Sequence, residues 1–138
     1  KVINNFYIKY IKKKPNFAIL GLNPHNFSPA KNPEEIKIIS KAIKTLKKFK
    51  IKVSGPIPAD SSFVVSKIYK YDVIIGMYHD QVLTTIKALY GLDSINITLG
   101  LKFIRISPDH GVGEDITGKR KASPVSLIQS IKFFNLVK

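Results

Sequence analysis

Short apolar runs alternate along the chain with segments whose apolar residues recur at helical spacing. Two runs bounded by proline or by polar residues predict buried strands, one over Asn16 to Asn23 and one over Asp72 to Tyr78. Between residues 36 and 46, isoleucine, alanine and leucine line one helical face and lysines the other, which predicts an amphipathic helix. Strands that alternate with helices predict an α/β fold, with helices packed on the faces of a sheet.

Capping and loop-forming residues indicate where the other elements begin and end. Asn32 is a candidate N-cap for the amphipathic helix, and Glu34 and Glu35 suit its positive end. A helix is predicted from Gln81 to Leu89, with Gly91 ending it. The remaining predictions are a helix at the start of the chain, a strand at 51–55, a rigid loop at 55–60, a helix from Ser61 or Ser62 to Ile68, strands at 95–100 and 103–107, a polar loop at 108–122 and a last helix capped by Ser123.

The composition favours a soluble globular protein. Hydrophobic residues make up 44% of the chain, and no apolar run reaches the roughly 18 residues that a membrane span requires, so no membrane partner is expected. Cysteine is absent, which excludes disulfides, thiolate zinc sites and cysteine nucleophiles and suits a reducing cytoplasm. The chain opens at Lys1 partway along a helical pattern, so we expect it to be a fragment.

A net charge of +14 arises from 23 basic and 9 acidic residues. Such a charge permits binding to nucleic acid or to an acidic membrane. All the basic residues except Arg105 and Arg120 are lysines, however, and readers of phosphates and bases usually rely on the bidentate arginine fork. The abundance of lysine, isoleucine and asparagine is also what an AT-rich genome supplies. We therefore expect no nucleic-acid partner.

Two histidines follow the two apolar strands. His25 comes just after the first strand and His79 just after the second, and ligands of α/β sheets bind beyond the carboxyl ends of the strands. Two imidazoles at one edge could share a divalent metal that polarises a hydroxyl. The alternative is a pair of ordinary loop histidines, since no short metal motif is present. Asp80 could ligate the metal, orient an imidazole or cap the next helix.

Three further polar side chains interrupt apolar segments. Lys87, Asn96 and Arg105 together could bind a phosphate or a carboxylate if they face one cleft. Arg105 stands inside a predicted strand, where a buried arginine requires an anionic partner. For Lys87 the alternative is a solvated helix face.

The polar loop that follows has no phosphate-binding P-loop motif. Its glycines, which include Gly111, could let the backbone approach a nucleotide, and His110 could stack on an adenine. A glycine-rich surface loop without a ligand is the alternative.

In combination, these segments resemble one family, the 4-hydroxythreonine-4-phosphate dehydrogenases of vitamin B6 synthesis. The resemblance covers nearly the whole chain from about Asn16 onward. The resemblance implies that residues 1–138 are the C-terminal part of a single dehydrogenase catalytic unit whose N-terminal half is absent. The motifs that carry it are, in order, GLNPH, EEI, GPIPADS, MYHDQ, NITLGLKFIR and SPDHG with DITGKRKA.

The resemblance implies the fold and the reaction. The fold is an α/β/α sandwich of the isocitrate/isopropylmalate dehydrogenase type that works as a homodimer. The reaction is oxidation of 4-phosphooxy-L-threonine at its hydroxyl by NAD or NADP. Decarboxylation, assisted by a divalent metal (zinc, cobalt or magnesium), then gives 3-amino-2-oxopropyl phosphate.

The resemblance also implies a role for each matching residue, although no catalytic acid or base is assigned. The implied roles are metal binding for His25 and His79, substrate binding for Lys87, Asn96 and Arg105, and cofactor binding for His110, Gly111 and Asp115.

Three departures from the family pattern weaken the expectation of activity and leave an alternative function open. The third metal-binding histidine of the family has no counterpart in this chain, and the loop after His25 lacks the family's glycines. The cofactor loop has Val112 where the wider superfamily usually has threonine. The alternative is a decayed or truncated fragment without catalysis that retains the fold or a dimerisation surface.

Overall fold

Helices and strands alternate through the first part of the fold, as the apolar pattern predicts. The computed structural model describes residues 1–26, 33–64 and 70–137. Helix α1 (Val2–Phe6) continues as a π-helical turn over Tyr7–Ile11. There follow β1 (Asn16–Leu20), a π-helical segment (Glu35–Ile39) that leads into α2 (Ser40–Lys48), β2 (Lys52–Ile57), α3 (Ala59–Ser62), β3 (Val73–Ile75), α4 (Asp80–Tyr90), β4 (Ile95–Thr98), β5 (Arg105–Pro108), a 3₁₀ turn (Glu114–Ile116) and α5 (Val125–Leu136).

Strand β1 is the centre of a three-stranded parallel sheet with the order β2-β1-β3. Its residues from Phe17 to Leu20 are all buried, which explains why the strand reads as a continuous apolar run rather than an alternating one. Ile39, Ile43 and Val53 pack with β1 to form the main buried core. The predicted α/β fold is confirmed.

Strand β2 is longer than predicted, because the segment expected to be a rigid loop from Gly55 continues as strand to Ile57. A proline is tolerated here because β2 lies at an edge of this three-stranded sheet and the register with β1 shifts beside it. Gly55 has φ +133°, and a Cβ atom there would lie 2.4 Å from the carbonyl oxygen of Ile19. Only glycine allows this close approach of the two strands.

Strands β4 and β5 form a separate antiparallel pair and do not join the parallel sheet. Helix α5 packs against both strands. The expectation of a buried Arg105 is wrong, since this side chain is exposed and its Nη1 donates to Thr98 Oγ1 at 3.0 Å. A two-stranded pair covered by one helix leaves room for a charged side chain at the surface.

Several predicted boundaries shift. The strand expected to reach Tyr78 ends at Ile75, and the helix expected from Ser61 or Ser62 begins at Ala59. Gly91 ends α4 as predicted, with φ +57°. Asn32 and Ile68 lie outside the described residues. In the described part of the chain, none of the helices has the length and apolar character that crossing a bilayer demands.

Candidate active site

The turns that follow the three parallel strands meet at one edge of the sheet. Backbone hydrogen bonds connect the turns after β1 and β2: Gly21 N donates to the carbonyl of Ile57 at 3.0 Å, and Ala59 N donates to that of Pro24 at 3.2 Å. The side chain of Asn26 adds a bond of 2.8 Å to the carbonyl of Pro56. Because the strands are parallel, their carboxyl ends deliver all three turns to the same place.

The structure places both predicted metal ligands at this edge. His25 follows β1 and His79 follows β3, its hydrogen-bonded neighbour in the sheet. Both imidazoles are exposed, with side-chain accessibilities of 80% and 77%. The rings are therefore reachable by a ligand from solvent.

Each imidazole has a carboxylate beside its Nδ1 atom. Asp80 Oδ1 lies 2.6 Å from Nδ1 of His79, and Asp60 Oδ2 lies 3.9 Å from Nδ1 of His25. For His79, the hydrogen bond with Asp80 favours the tautomer whose Nε2 lone pair is free, which is the arrangement of metal-binding histidines. The separation of 3.9 Å at His25 is too long for such a hydrogen bond. Asp60 lies in the first turn of α3, the short helix after β2, and the sequence contained no signal for this pairing.

The described residues hold two imidazoles at this edge and no more. Within them, no three histidine, aspartate or glutamate side chains are grouped closely enough to hold an ion. His110, the remaining histidine, belongs to the loop after β5. The described residues thus provide two imidazoles at this edge, and their role as metal ligands stays a prediction.

Gln81 ties the two histidine-bearing turns together, a role that sequence reasoning missed. Its side chain is buried; Nε2 donates to the carbonyl of Gly21 at 2.7 Å, and Oε1 accepts from Met77 N at 2.7 Å. One amide thus spans the start of the His25 turn and the start of the His79 turn. A glutamine in the first turn of a helix ordinarily faces solvent, so its position in the sequence did not predict this buried role.

Glu35 supports the His25 turn from the other side. This carboxylate is buried and its Oε1 accepts from Asn23 N at 2.7 Å, while Asn23 Oδ1 accepts from His25 N at 3.0 Å. The backbone N–H of Asn23, followed by that of Glu35 itself, lowers the pKa of this carboxyl despite its burial. The sequence indicated only a residue suited to a helix start.

Lys87 is only partly exposed and is held by Asp109 rather than standing free on a solvated helix face. Lys87 and His79 line one small cleft, together with Asp109. Lys87 Nζ donates to Asp109 Oδ2 at 2.9 Å and also contacts the Asp109 carbonyl, and Ser94 Oγ donates to Oδ2 at 2.7 Å. The Lys87 ammonium, followed by the Ser94 hydroxyl, lowers the pKa of Asp109.

Asn96 and Arg105 share one face of the antiparallel pair. Asn96 is opposite Ser107 and Thr98 is opposite Arg105 in the register, so these four side chains project to the same side. Asn96 and Arg105 are both exposed. Arg105 lines a different cleft from Lys87, so these residues do not form a single cleft in this chain and their substrate role stays a prediction.

The three predicted cofactor residues come together in one cavity of about 910 Å³. His110, Gly111 and Asp115 line it, and its wall continues through Arg120 and Lys121 to the start of α5. The volume lies within the roughly 300–1,000 Å³ of sites that hold small molecules and cofactors. The structure therefore groups these residues, and their cofactor role stays a prediction.

Comparison with known proteins identifies the family. The family model described as pyridoxal phosphate biosynthetic protein PdxA matches residues 1–134. The chain belongs to the PdxA family. The family resemblance inferred from the motifs is thereby confirmed.

Curated relatives and a solved structure agree with this placement. The chain is 43% identical over 140 residues to the 4-hydroxythreonine-4-phosphate dehydrogenase of Sulfurihydrogenibium sp. strain YO3AOP1, covering 100% of this chain and 43% of that protein. It is 46% identical over 120 residues to the enzyme of that name from Bradyrhizobium diazoefficiens, covering 86% and 35%. The crystal structure of the Klebsiella pneumoniae 4-hydroxythreonine-4-phosphate dehydrogenase superposes with a TM-score of 0.75 at 37% identity, covering 96% and 40%. The chain thus spans less than half the length of these relatives.

Proposed function

We propose that this chain forms one part of the catalytic unit of a metal- and NAD(P)-dependent 4-hydroxythreonine-4-phosphate dehydrogenase. Its substrate would be 4-phosphooxy-L-threonine, and its product, after oxidation and decarboxylation, 3-amino-2-oxopropyl phosphate. The observation that carries the proposal is the position of His25 and His79 at the carboxyl edge of two neighbouring strands, with Asp80 hydrogen-bonded to Nδ1 of His79. Membership of the PdxA family supports the assignment of this reaction to the site.

The donor atoms fit a divalent transition ion. Imidazole nitrogen suits zinc and related metals, whereas magnesium prefers oxygen ligands, so of the expected metals zinc or cobalt fits better. Asp80, hydrogen-bonded to Nδ1 of His79, would keep the Nε2 lone pair of His79 available. An ion held there would supply Lewis acidity toward the substrate hydroxyl.

The anionic groups of the substrate require cations nearby. Lys87, in one cleft with His79, is suited to a phosphate or carboxylate, because a partly shielded ammonium forms charge-assisted bonds. Asp109 holds this ammonium in position until an anion arrives. Arg105 and Asn96, on their shared strand face, would contact another part of the substrate.

The loop cavity is suited to the adenosine end of the dinucleotide. Gly111 permits close approach of the backbone, the His110 ring offers a stacking surface, and the Asp115 carboxylate can accept from ribose hydroxyls. The dinucleotide would supply the hydride acceptor and the protein its placement. The family resemblance is also the support for a homodimeric, cytoplasmic enzyme completed by the part of the relatives that this chain does not match.

A chimera tests the reaction. In the Sulfurihydrogenibium relative, this chain would replace the segment that it matches, and formation of reduced dinucleotide from 4-phosphooxy-L-threonine would be measured with added zinc or cobalt. Turnover that is lost in His79→Ala supports the proposal. A folded chimera without turnover would favour the non-catalytic fragment.

Metal binding by the chain itself gives a second readout. We expect His25→Ala and His79→Ala each to weaken cobalt binding about tenfold or more, measured by its absorption spectrum. His110→Ala is the matched control and should leave it unchanged, since His110 lies in another loop. Equal effects of all three substitutions would refute the metal assignment.

A further inference from the structure

Three hydrogen bonds close a ring around the Asp109 carboxylate. Ser94 Oγ donates to Asp109 Oδ2 at 2.7 Å, and Asp109 N donates to Ser126 Oγ at 3.0 Å. The Ser126 hydroxyl in turn donates to the carbonyl of Ser94 at 2.6 Å. Ser126 is buried, and the Asp109 side chain is mostly shielded, with an accessibility of 22%. The ring therefore fixes the carboxylate relative to the start of β4, the end of β5 and the first turn of α5.

The fixed carboxylate in turn fixes the ammonium of Lys87. Lys87 Nζ contacts both Oδ2 and the backbone carbonyl of Asp109. An ammonium has three N–H donors, so these two contacts leave one of them. In the described part of the chain, Asp109 is the only ion-pair partner of Lys87. The remaining N–H is thus the donor that Lys87 can offer to an anion in the cleft.

The cleft that Lys87 shares with His79 is not positively charged as a whole. Among its described lining residues, Lys87 is the one cation, whereas Asp80 and Asp109 are anions, for a net charge of −1 with both lining histidines neutral. A cleft built only to attract anions would carry the opposite charge. Asp109 therefore weakens the attraction of the cleft for anions, and the effect that remains in its favour is a fixed ammonium.

We propose that Asp109 is a positioning residue that acts through Lys87. It holds the remaining N–H of the ammonium at one place in the cleft and, by its charge, keeps the affinity for anions low. The inference rests on the proposed function, in which Lys87 contacts an anionic group of the substrate. An anion bound by a fixed donor lies at a fixed distance from His79, whereas a free lysine on its flexible stem would bind it over a range of positions.

A purely structural ion pair between α4 and the end of β5 is the alternative. The Lys87 side chain is 35% exposed, and ion pairs open to solvent contribute little to stability. The two explanations predict different effects when the charge of Asp109 is removed. Loss of a structural pair would weaken both folding and substrate binding. Loss of the positioning residue would strengthen anion binding and slow turnover.

Inorganic phosphate titrated into the metal-free chain tests the effect on binding. Binding would be followed by the NMR shifts of the amides of Thr84 and Gly111, which line the cleft. Asp109→Asn keeps the shape and an oxygen acceptor but removes the charge, so we expect phosphate to bind about threefold or more tightly. Asp93→Asn is the matched control, since Asp93 is exposed and does not line the cleft. It should change the affinity by less than about 1.5-fold, because a distant exposed charge is screened.

Turnover of the Sulfurihydrogenibium chimera tests the effect on placement. Asp109→Asn should lower kcat about tenfold or more without raising KM for 4-phosphooxy-L-threonine, because the anion still binds but is misplaced. Asp109→Glu keeps the charge but moves the carboxylate by one methylene from its ring of hydrogen bonds. It should keep phosphate affinity within about twofold of the parent chain and still lower kcat about fivefold or more. Asp93→Asn should leave kcat and KM unchanged.

Thermal unfolding separates lost placement from lost folding. Both Asp109 variants should unfold within about 5 °C of the parent chain, because the pair that they alter is partly exposed. A larger shift accompanied by a raised KM would establish the structural ion pair and overturn the inference.

The other outcomes separate this inference from the proposed function. Unchanged phosphate affinity in Asp109→Asn, or an equal gain in Asp93→Asn, overturns the inference and leaves the dehydrogenase proposal standing. Full turnover in Asp109→Glu overturns it too, since the position of the carboxylate would then be unimportant. If the parent chimera has no turnover, the proposed function fails, and the phosphate titration still decides whether Asp109 governs anion binding in the cleft.

Discussion

At the scale of single residues, buried polar side chains hold the candidate site in shape. Gln81 and Glu35 each bind backbone atoms of a turn that carries or precedes a histidine. A buried polar group that is fully hydrogen-bonded rigidifies its surroundings, whereas losing its partner leaves backbone groups unsatisfied. These two residues are therefore expected to matter more for the site than their surface-like positions in the sequence suggest.

Truncation of Gln81 should destabilise the chain. Gln81→Ala leaves the carbonyl of Gly21 and the N–H of Met77 without partners, so we expect the free energy of unfolding to fall by about 2–3 kcal/mol in urea titrations. Gln129→Ala, at an exposed position on α5, is the control and should change it by less than about 0.5 kcal/mol. Equal effects of the two substitutions would contradict the assigned tie between the turns.

At the scale of elements, one close contact between strands determines how the sheet closes. Gly55 brings β2 against β1 where the register shifts, and its missing side chain is a condition for that pairing. The turns after both strands depend on it, because they are joined by hydrogen bonds just beyond the contact. The geometry around His25, which follows β1, thus depends on Gly55 in β2.

A methyl group at this contact should separate the strands. Gly55→Ala combines φ +133° with a Cβ only 2.4 Å from the Ile19 carbonyl oxygen, so we expect a loss of about 3 kcal/mol or more. Gly91→Ala is the matched control: its φ is +57°, but no atom lies within 4 Å of the added Cβ. It should cost about 1 kcal/mol in the same thermal or urea unfolding measurement. A smaller loss at Gly55 than at Gly91 would show that the strands tolerate the group.

At the scale of the whole molecule, carboxylates tie distant segments together. Asp72 accepts from Lys13 Nζ at 2.5 Å and from Asn16 N at 2.8 Å, joining the segment after α1 to the start of β3. The Lys13 ammonium, followed by the Asn16 N–H, lowers the pKa of Asp72. The pKa of Glu35 is lowered as well, by backbone N–H groups.

These shifts predict a loss of stability in acid. Because both carboxyls have a lower pKa in the folded chain, the unfolded chain binds more protons as the pH falls. Their contribution is complete above the unfolded pKa values, given by the ordinary 4.5 for glutamate and 3.8 for aspartate, and disappears as the pH falls through the folded values. We expect urea midpoints to drop between about pH 5 and about pH 3.

Variants at the two carboxyls test this cause. Glu35→Gln and Asp72→Asn keep hydrogen-bond acceptors but cannot titrate. Each variant should therefore be less stable than the parent chain at neutral pH and should lose less stability as the pH falls. Glu34→Gln provides the control, since Glu34 is exposed. This variant should lose as much stability in acid as the parent chain. An acid loss of the same size in all variants would place the titration elsewhere.

Much of the fold could be predicted from local patterns. Residues 17 to 20 form a continuous apolar run because β1 is covered on both faces. The helical spacing of residues 36 to 46 is followed in part, because Ile39, Ile43 and Leu46 pack on the core whereas Ile36 and Ala42 are exposed. Gly91 ends its helix because few other residues accept a positive φ. The positions of His25 and His79 just after strands could also be predicted, since strand ends and residue types are both read from short stretches of sequence.

The tertiary structure alone decided which distant groups meet. The sequence by itself determined the alternation of elements, the apolar faces and the residue types at strand ends. Pairing Asp60 with His25, setting Gln81 between two turns, exposing Arg105 and dividing the strands into two sheets all depend on register and packing between segments far apart in the chain. Periodicity records which face of an element is apolar, but it carries no record of the partner that covers that face.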